Sequence, residues 1–161
     1  MIVLKHTILQ HQRSVIEAAH KEDFQRVSVR RIHLYQDALR AFSKPTFNVG
    51  KMLKVCFVGE PAAVDDGGPR CEFFSLLTRA IFCTSGLFSG WPEHVVPLHD
   101  VHAVANNKFY LVGKMLATCL VQGGEPPVCF AKAVADYIVF DKVSSPPCID
   151  DIPDLRSNNF F

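Results

Sequence analysis

The stretch of sequence that decides the fold of this 161-residue chain is VCFVGEPAAVDDGGPRCEFF, residues 55–74. Its first residues belong to a run of apolar and β-branched residues that predicts a strand over residues 53–58. Two prolines and two adjacent glycines predict a loop over residues 59–70. Apolar residues then recur at helical spacing from Phe73 to Ile81, which predicts a buried helix over residues 71–82. The stretch therefore predicts a strand, an acidic loop and a buried helix in succession.

Outward from this stretch, the hydrophobic pattern is mostly helical. Apolar residues at three- and four-residue spacing predict further helices over residues 6–23, 34–42, 109–120 and 130–138. Val27 and Val29 alternate with polar residues and predict a second short strand, whereas glycines and prolines predict that residues 85–101 form a loop. The predicted fold class is α+β, a mostly helical domain with two or three short strands.

Composition and charge exclude several classes of protein. Hydrophobic residues make up 48% of the chain and charged residues 20%, which is too apolar for a disordered segment. The 17 Lys and Arg residues nearly balance the 16 Asp and Glu residues, so the basic excess of a nucleic-acid-binding protein is missing. The longest apolar stretch, from Phe109 to Val121, is interrupted by Lys114, and no membrane-spanning segment is predicted. We therefore expect neither a nucleic acid nor a membrane as a partner.

The cysteines and the N-terminus predict a reducing compartment. Six cysteines are scattered through the chain without a C-x-x-C pair. The apolar run Ile2-Val3-Leu4 is too short for a signal peptide, because Lys5 follows it at once. These features predict free thiols and a cytoplasmic or nuclear protein.

The acidic loop offers three chemical hypotheses, all of them weak. Carboxylates at Glu60, Asp65, Asp66 and Glu72 could hold a hard cation, but their spacing does not match a calcium loop. Free backbone N–H groups at Gly67-Gly68 could hold a phosphate, but no phosphate-binding motif is present and the nearby carboxylates would repel it. A thiolate at Cys71 beside Arg70 could be a nucleophile, but no histidine base can be named for it.

The favoured interpretation of the acidic loop is architectural. Carboxylates immediately before a helix stabilise its positive end, and adjacent glycines permit a turn with positive φ. Arg30 and Arg31 lie upstream and are available as partners for Glu60 or Glu72. The sequence therefore predicts a charge network that fixes the loop against the helix.

The histidines and serines carry no recognisable site. His94, His99 and His102 form an H-x4-H-x2-H pattern without a further ligand at zinc-site spacing, so they are interpreted as surface loop residues. Ser85 and Ser89 lack the G-x-S-x-G context of an acyl-transferring serine. No metal, cofactor or catalytic residue is predicted.

The order of motifs along the chain resembles the start of a HECT domain, in particular its divergent branch. HECT proteins are ubiquitin ligases that accept ubiquitin on a cysteine. The resemblance covers about residues 25–143 and is carried by four segments, which are Val29-Arg30-Arg31, then Val55-x-Phe57-x-Gly59-Glu60, then Asp65-Asp66-Gly67-Gly68-Pro69-Arg70-x-Glu72-Phe73-Phe74, then Leu87-Phe88. The segments Phe109–Lys114 and Gln122-Gly123-Gly124 resemble the next helix of the family and its end.

This resemblance implies a domain organisation and a set of partners. Residues 1–24 would be an N-terminal helical extension, residues 25–143 a partial HECT N-lobe, and residues 144–161 a Pro- and Asp-rich tail where the domain is cut off. The partners implied for the full-length parent are an E2 enzyme charged with ubiquitin and protein substrates. The half-lobe would also leave apolar surface uncovered.

The resemblance does not place the catalytic cysteine in this chain. In the family that cysteine lies in a Thr-Cys segment of a second, C-terminal lobe, whereas Thr118-Cys119 falls inside an apolar helix pattern. The leading hypothesis is a fragment of a HECT-type E3 ligase that is inactive on its own. The alternatives are a catalytically silent HECT-like binding or decoy module and, more remotely, an unrelated enzyme that uses the Asp65-Asp66 loop with a metal.

Overall fold

A computed structural model describes residues 10–14, 17, 24–61, 67–125 and 127–144. The strands are β1 (Phe24–Val29), β2 (Met52–Phe57), β3 (Phe88–Trp91) and β4 (His94–Pro97). The helices are α1 (Leu34–Phe42), α2 (Gly67–Cys83), α3 (Val101–Ala105), α4 (Lys108–Val121) and α5 (Lys132–Phe140), with a short 3-10 helix at Arg31–His33. Residues 10–14 and 17 are helical and fall within the helix predicted over 6–23, the rest of which lies outside the described residues.

The strands form two separate two-stranded sheets. β1 and β2 are parallel, with a register that runs from Phe24 opposite Met52 to Val29 opposite Phe57. Helix α1 lies in the connection between them, as parallel strands require a crossover. β3 and β4 form an antiparallel hairpin in which Trp91 is opposite His94.

The α+β prediction is confirmed, with two corrections. Residues 85–101 are not all loop, because the hairpin β3–β4 occupies most of them. The hairpin requires a glycine at position 90, because Gly90 has φ 131° and a Cβ there would lie 2.2 Å from the carbonyl oxygen of His94. Helix α2 begins at Gly67, before the predicted residue 71, because Pro69 lies in its first turn, where a missing N–H costs nothing.

The core lies between the parallel sheet and helices α1, α2 and α4. Helix α2 supplies its centre, with Phe73, Phe74, Leu77 and Ile81 all 1% exposed or less. These side chains lie on the stripe that the helical spacing predicts, and the apolar area they remove from water stabilises the fold.

Two polar side chains, one in α4 and one directly after it, form hydrogen bonds to the backbone of neighbouring elements. Gln122 is buried, and its side-chain amide accepts from the backbone N–H of Leu53 and donates to the carbonyl oxygen of Lys51, both at 2.9 Å. Lys114 donates to the carbonyl oxygen of Phe42 at 3.0 Å, which satisfies a free carbonyl at the end of α1. Lys114, which interrupts the apolar run of α4, thus caps the C-terminal end of α1. Within the described ranges, no helix is long and apolar enough to span a membrane.

Candidate functional site

The first candidate site is a cluster of three charged side chains, Arg31, Glu60 and Glu72, named here the charge cluster. Arg31 donates from Nη2 to Glu60 Oε2 at 3.0 Å and from Nη1 to Glu72 Oε1 at 2.7 Å. Its Nε also donates to Glu60, and its guanidinium lies 4.2 Å from the centre of the Phe57 ring. The cluster thereby joins the 3-10 helix that follows β1, the turn after β2 and the second turn of α2.

The charge cluster is open to solvent and ionised at neutral pH. Between 41% and 48% of each side chain is exposed. Hydrogen bonds from Arg31 lower the pKa of Glu60 and the pKa of Glu72, so both carboxylates stay charged at neutral pH. A general acid or base needs a pKa near the working pH. The arrangement therefore suits a structural connection better than proton transfer.

The neighbouring Arg30 makes a different contact. It donates from Nε, Nη2 and its backbone N–H to the buried carboxylate of Asp37, at 2.7–3.0 Å. These bonds hold the pKa of Asp37 well below its usual range. Of the two arginines that the sequence offered to Glu60 and Glu72, only Arg31 contacts them, and the structure gives Asp37 a role that the sequence pattern did not indicate.

The remaining residues of the acidic motif divide between described and undescribed positions. Asp65 and Asp66 lie outside the described residues. Gly67, Gly68 and Arg70 lie in the first turn of α2. Phe73 and Phe74 enter the core and touch each other, with ring centroids 5.7 Å apart.

The structure alters the chemical hypotheses for this loop. Among the described residues, no group of three or more His, Cys, Asp or Glu side chains is placed to hold a metal ion. The oxygens of Glu60 and Glu72 that a cation would need are bonded to Arg31. Cys71 lies in the second turn of α2, past the helix N-terminus, so the main argument for a stabilised thiolate at that position no longer applies.

The fold gives the three histidines different surroundings. His99 and His102 are exposed, but the interpretation of His94 as a surface loop residue is wrong. His94 begins β4, is half-buried and stacks on Trp91 with the ring centroids 4.5 Å apart. The hairpin register brings these two rings together, which the spacing of the histidines could not reveal.

The second candidate site is a groove of about 730 Å³ between α2 and residues 123–125 and 127–129, named here the thiol groove. Cys71, Cys83 and Cys129 line it, and the buried Cys119 is in contact with its wall residue Thr78. Burial raises the pKa of Cys129 to about 11 and also raises the pKa of Cys119. Both thiols are therefore protonated at neutral pH. Sequence reasoning missed this groove, although Cys71, Ser75 and Thr78, which line it, share a helical stripe.

The third candidate site is an apolar groove of about 740 Å³ between α4 and α5. Leu116 of α4 and Tyr137 and Ile138 of α5 are among its lining residues. None of the α5 residues is buried, and Phe140 is 67% exposed. Exposed apolar faces of this kind are typical of interaction surfaces.

Comparison with known proteins adds the family context. No family model matches the chain. It is 30% identical over 137 residues to the G2/M phase-specific E3 ubiquitin-protein ligase of Homo sapiens, a match that covers 84% of this chain and 19% of the relative. It is 32% identical over 141 residues to "Probable E3 ubiquitin-protein ligase HECTD2" of Mus musculus, covering 82% of this chain and 18% of that protein.

A shorter match reaches a fungal protein. Over 69 residues the chain is 41% identical to "Probable E3 ubiquitin-protein ligase HUL4" of Eremothecium gossypii, which covers 42% of this chain and 8% of the relative. The chain spans about a fifth of the length of the first two curated relatives.

Proposed function

This chain belongs to the HECT-type E3 ubiquitin ligase family, and on that premise we propose that it forms part of the N-lobe of such a ligase and supplies no catalytic cysteine. The activity of the whole protein would be transfer of ubiquitin from an E2 enzyme to a ligase cysteine and then to a substrate lysine. Residues 25–143 would act in it as scaffolding. The E2 enzyme charged with ubiquitin and the protein substrates would be partners of the whole ligase, in the cytoplasm or the nucleus.

The observation that carries this proposal is the contact of Arg31 with both Glu60 and Glu72. Three of the segments that carry the family resemblance contribute to this contact, one each through Arg31, Glu60 and Glu72. Their ion pairs hold the turn after β2 in place. Thioester chemistry needs a nucleophile with an activating partner in reach. The charge cluster has neither a thiol nor a free base.

The cysteines support the same interpretation. Cys119, which follows Thr118 as in a Thr-Cys segment, is 3% exposed, and burial raises its pKa. Neither an E2 thioester nor a solvent base can reach a thiol in that position. The transfer step depends on positioning a thiolate beside the thioester, and we expect that thiolate to lie in another part of the whole protein.

A chimera tests the scaffold role. The 137 matched residues of the human relative are replaced by those of this chain, and ubiquitin transfer by the chimera is measured with its E1 and E2 enzymes. We expect the chimera to fold and to retain transfer within about tenfold of the parent. Arg31→Ala in the chimera should leave the yield of folded protein close to that of Arg26→Ala, a matched change at an exposed arginine of β1. A folded chimera without any transfer would contradict the proposal.

The alternative is a catalytically silent binding or decoy module, which the exposed apolar face of α5 favours. An excess of the purified chain is added to a reaction of the intact human relative. A decoy would slow ubiquitin transfer in proportion to its concentration, whereas a scaffold segment would leave the rate unchanged. The nucleotide sequence after the codon for Phe161 gives a second test. A continuing frame with an E2-docking subdomain and a Thr-Cys segment supports the ligase, and a stop codon supports the module.

A further inference from the structure

The apolar groove between α4 and α5 has no part in the proposed function. It runs along α4 from Phe109 to Leu120, eleven residues or about 17 Å of helix. Gly113 and Ala117, one turn apart and exposed on α4, make its floor low, and a Cβ at Gly113 would meet nothing within 4 Å. None of the described residues that line the groove is charged. The groove therefore suits an apolar ligand that lies along a helix.

The α5 wall of the groove is open to solvent. Tyr137 and Ile138 line it and are 58% and 63% exposed. Among the described lining residues, the Tyr137 hydroxyl is the one polar side-chain group. Exposed apolar surface of this kind is typical of an interaction surface. The wall is therefore accessible to a segment that brings apolar side chains.

The end of α5 directs the chain back to the same groove. Asp141 ends the helix in a left-handed conformation, with φ 55°, and its N–H donates to the carbonyl oxygen of Tyr137 at 2.9 Å. Two residues later, Val143 lines the groove. The last described residue is Ser144, so the residues that follow it start at the groove. Five residues span up to about 17 Å, which lets Ile149 reach along the length of the groove.

The segment that follows carries apolar side chains at a regular spacing. Ile149, Ile152 and Leu155 recur at every third residue. This spacing brings side chains to one side of a chain in a helical turn or in a polyproline II segment. Three aspartates fall between them and can stay in water. The segment thus has an apolar side that suits the groove and a charged side that suits solvent.

We propose that residues 145–161 of this chain dock in the apolar groove, with Ile149, Ile152 and Leu155 packed between α4 and α5. A segment that is joined to α5 by a short connection meets the groove at an effective concentration in the millimolar range, which a second copy does not reach in dilute solution. The docked segment would cover the exposed wall of α5. The face that favours the decoy module would then be occupied within the chain itself.

Photo-crosslinking from the groove tests the proposal on the full chain. The photoreactive residue p-benzoylphenylalanine replaces Tyr137, and chains of natural and heavy nitrogen isotope are mixed before irradiation. Tryptic cleavage after Lys142 separates the two peptides of interest, and the isotope pattern of a linked pair shows whether both come from one chain. We expect the main product to link position 137 to residues 145–161 of the same chain.

The same photoreactive residue in place of Ile32 is the control for position. Ile32 is 85% exposed on the 3-10 helix after β1, and none of the described residues that line the groove belongs to that helix. A probe at Ile32 should therefore give little of the link to residues 145–161.

Variants of the crosslinking chain separate docking from random encounters of a tethered segment. Ile152→Asp with Leu155→Asp should lower the yield of the intrachain link at least about fivefold, because charged groups replace side chains that enter an apolar groove. Asn158→Asp with Asn159→Asp is the matched control, since it adds the same two charges and keeps the apolar side chains, and its yield should equal that of the parent. Gly113→Gln fills the groove from α4 with a better helix former and should also lower the yield.

Three results would overturn the proposal. They are links mainly between two chains, which would assign the groove to a second copy, absence of a link from position 137 to residues 145–161, and equal yields in Ile152→Asp with Leu155→Asp and in its control. The chain with the natural segment gives the first two results by itself. The proposal therefore stays testable even where a variant does not fold.

Discussion

The family motif at residues 65–74 has a charged half and an aromatic half, and the two halves face opposite surroundings. Phe73 and Phe74 are at most 1% exposed in the centre of the core, whereas the preceding Glu72 is 48% exposed and bonded to Arg31. One turn of α2 thus presents aromatic rings to the interior and a carboxylate to solvent. Buried rings stabilise a fold by several kcal/mol, and exposed ion pairs contribute little. The comparison indicates that the aromatic half stabilises the fold and that the charged half sets how the turn after β2 lies against α2.

The largest effect is expected in the aromatic half. Phe73→Ala should lower the free energy of unfolding by about 3–5 kcal/mol, because it leaves a cavity in a closed core. Urea titration followed by circular dichroism measures it. Glu72→Ala is the matched control on the exposed side, and it should unfold close to the wild type. Equal losses for the two variants would remove the distinction between the halves.

The ion pair between the partly exposed Arg30 and the buried carboxylate of Asp37 should come next. Asp37→Ala should lower the free energy of unfolding by about 2–3 kcal/mol, because the guanidinium and backbone N–H of Arg30 lose their acceptor. Arg40→Ala removes an exposed partner of the same carboxylate, and its effect should be much smaller. If Arg40→Ala lowered the free energy of unfolding as much as Asp37→Ala does, burial of the Asp37 carboxylate would not determine the size of the effect.

The pH dependence of stability should report the same carboxylate. Arg30 holds the pKa of Asp37 below its usual range in the folded protein. The contribution of the ionised Asp37 carboxylate to the free energy of unfolding is therefore complete above about pH 4, and it is lost as the pH falls towards the lowered folded-state pKa. The urea midpoint of the wild type should therefore fall between about pH 4 and pH 2.5. Asp37→Asn, which cannot titrate, should show a smaller fall over that range. Parallel curves for the two proteins would contradict this assignment.

The smallest effect is expected from the charge cluster. Arg31→Ala should move the midpoint of thermal unfolding of the isolated chain by less than about 3 °C, because all three charges are open to water. Added salt should reduce the difference between variant and wild type further. Arg26→Ala is the control for loss of an exposed arginine. A shift near 10 °C in Arg31→Ala would make the cluster a main source of stability and would break the comparison.

The sequence predicted those helices and strands whose residues show a clear hydrophobic spacing along the chain. The stripe from Phe73 to Ile81 identified α2, and the β-branched run identified β2, because hydrophobic periodicity reports which face is buried. The first turn of α2 was missed because Gly-Gly-Pro is typical of a loop, although Pro is tolerated at the start of a helix. The hairpin was missed for a related reason, since Gly90 and Pro92 look like loop residues until their strands are paired.

Non-local geometry accounts for the rest. The sequence predicted that an arginine would meet Glu60 or Glu72, but the choice of Arg31 over Arg30 depends on the 3-10 turn that follows β1. Asp37 gave no signal of its own, because its partner is set by the packing of α1 against β1. The segment that carries Cys129 lies beside α2 because its backbone bonds to Val95 of β4 and the Phe130 ring contacts Phe82, and no spacing in the sequence indicates either contact.

The central proposal, that the motif is scaffolding and that the catalytic cysteine of the whole ligase lies outside this chain, is tested most directly by a thioester assay. The purified chain is incubated with E1, ATP, ubiquitin and a panel of E2 enzymes, and the products are separated without reductant. We predict no ubiquitin adduct on the chain that dithiothreitol removes. A dithiothreitol-sensitive adduct that is lost in Cys71→Ser or Cys119→Ser would contradict the claim.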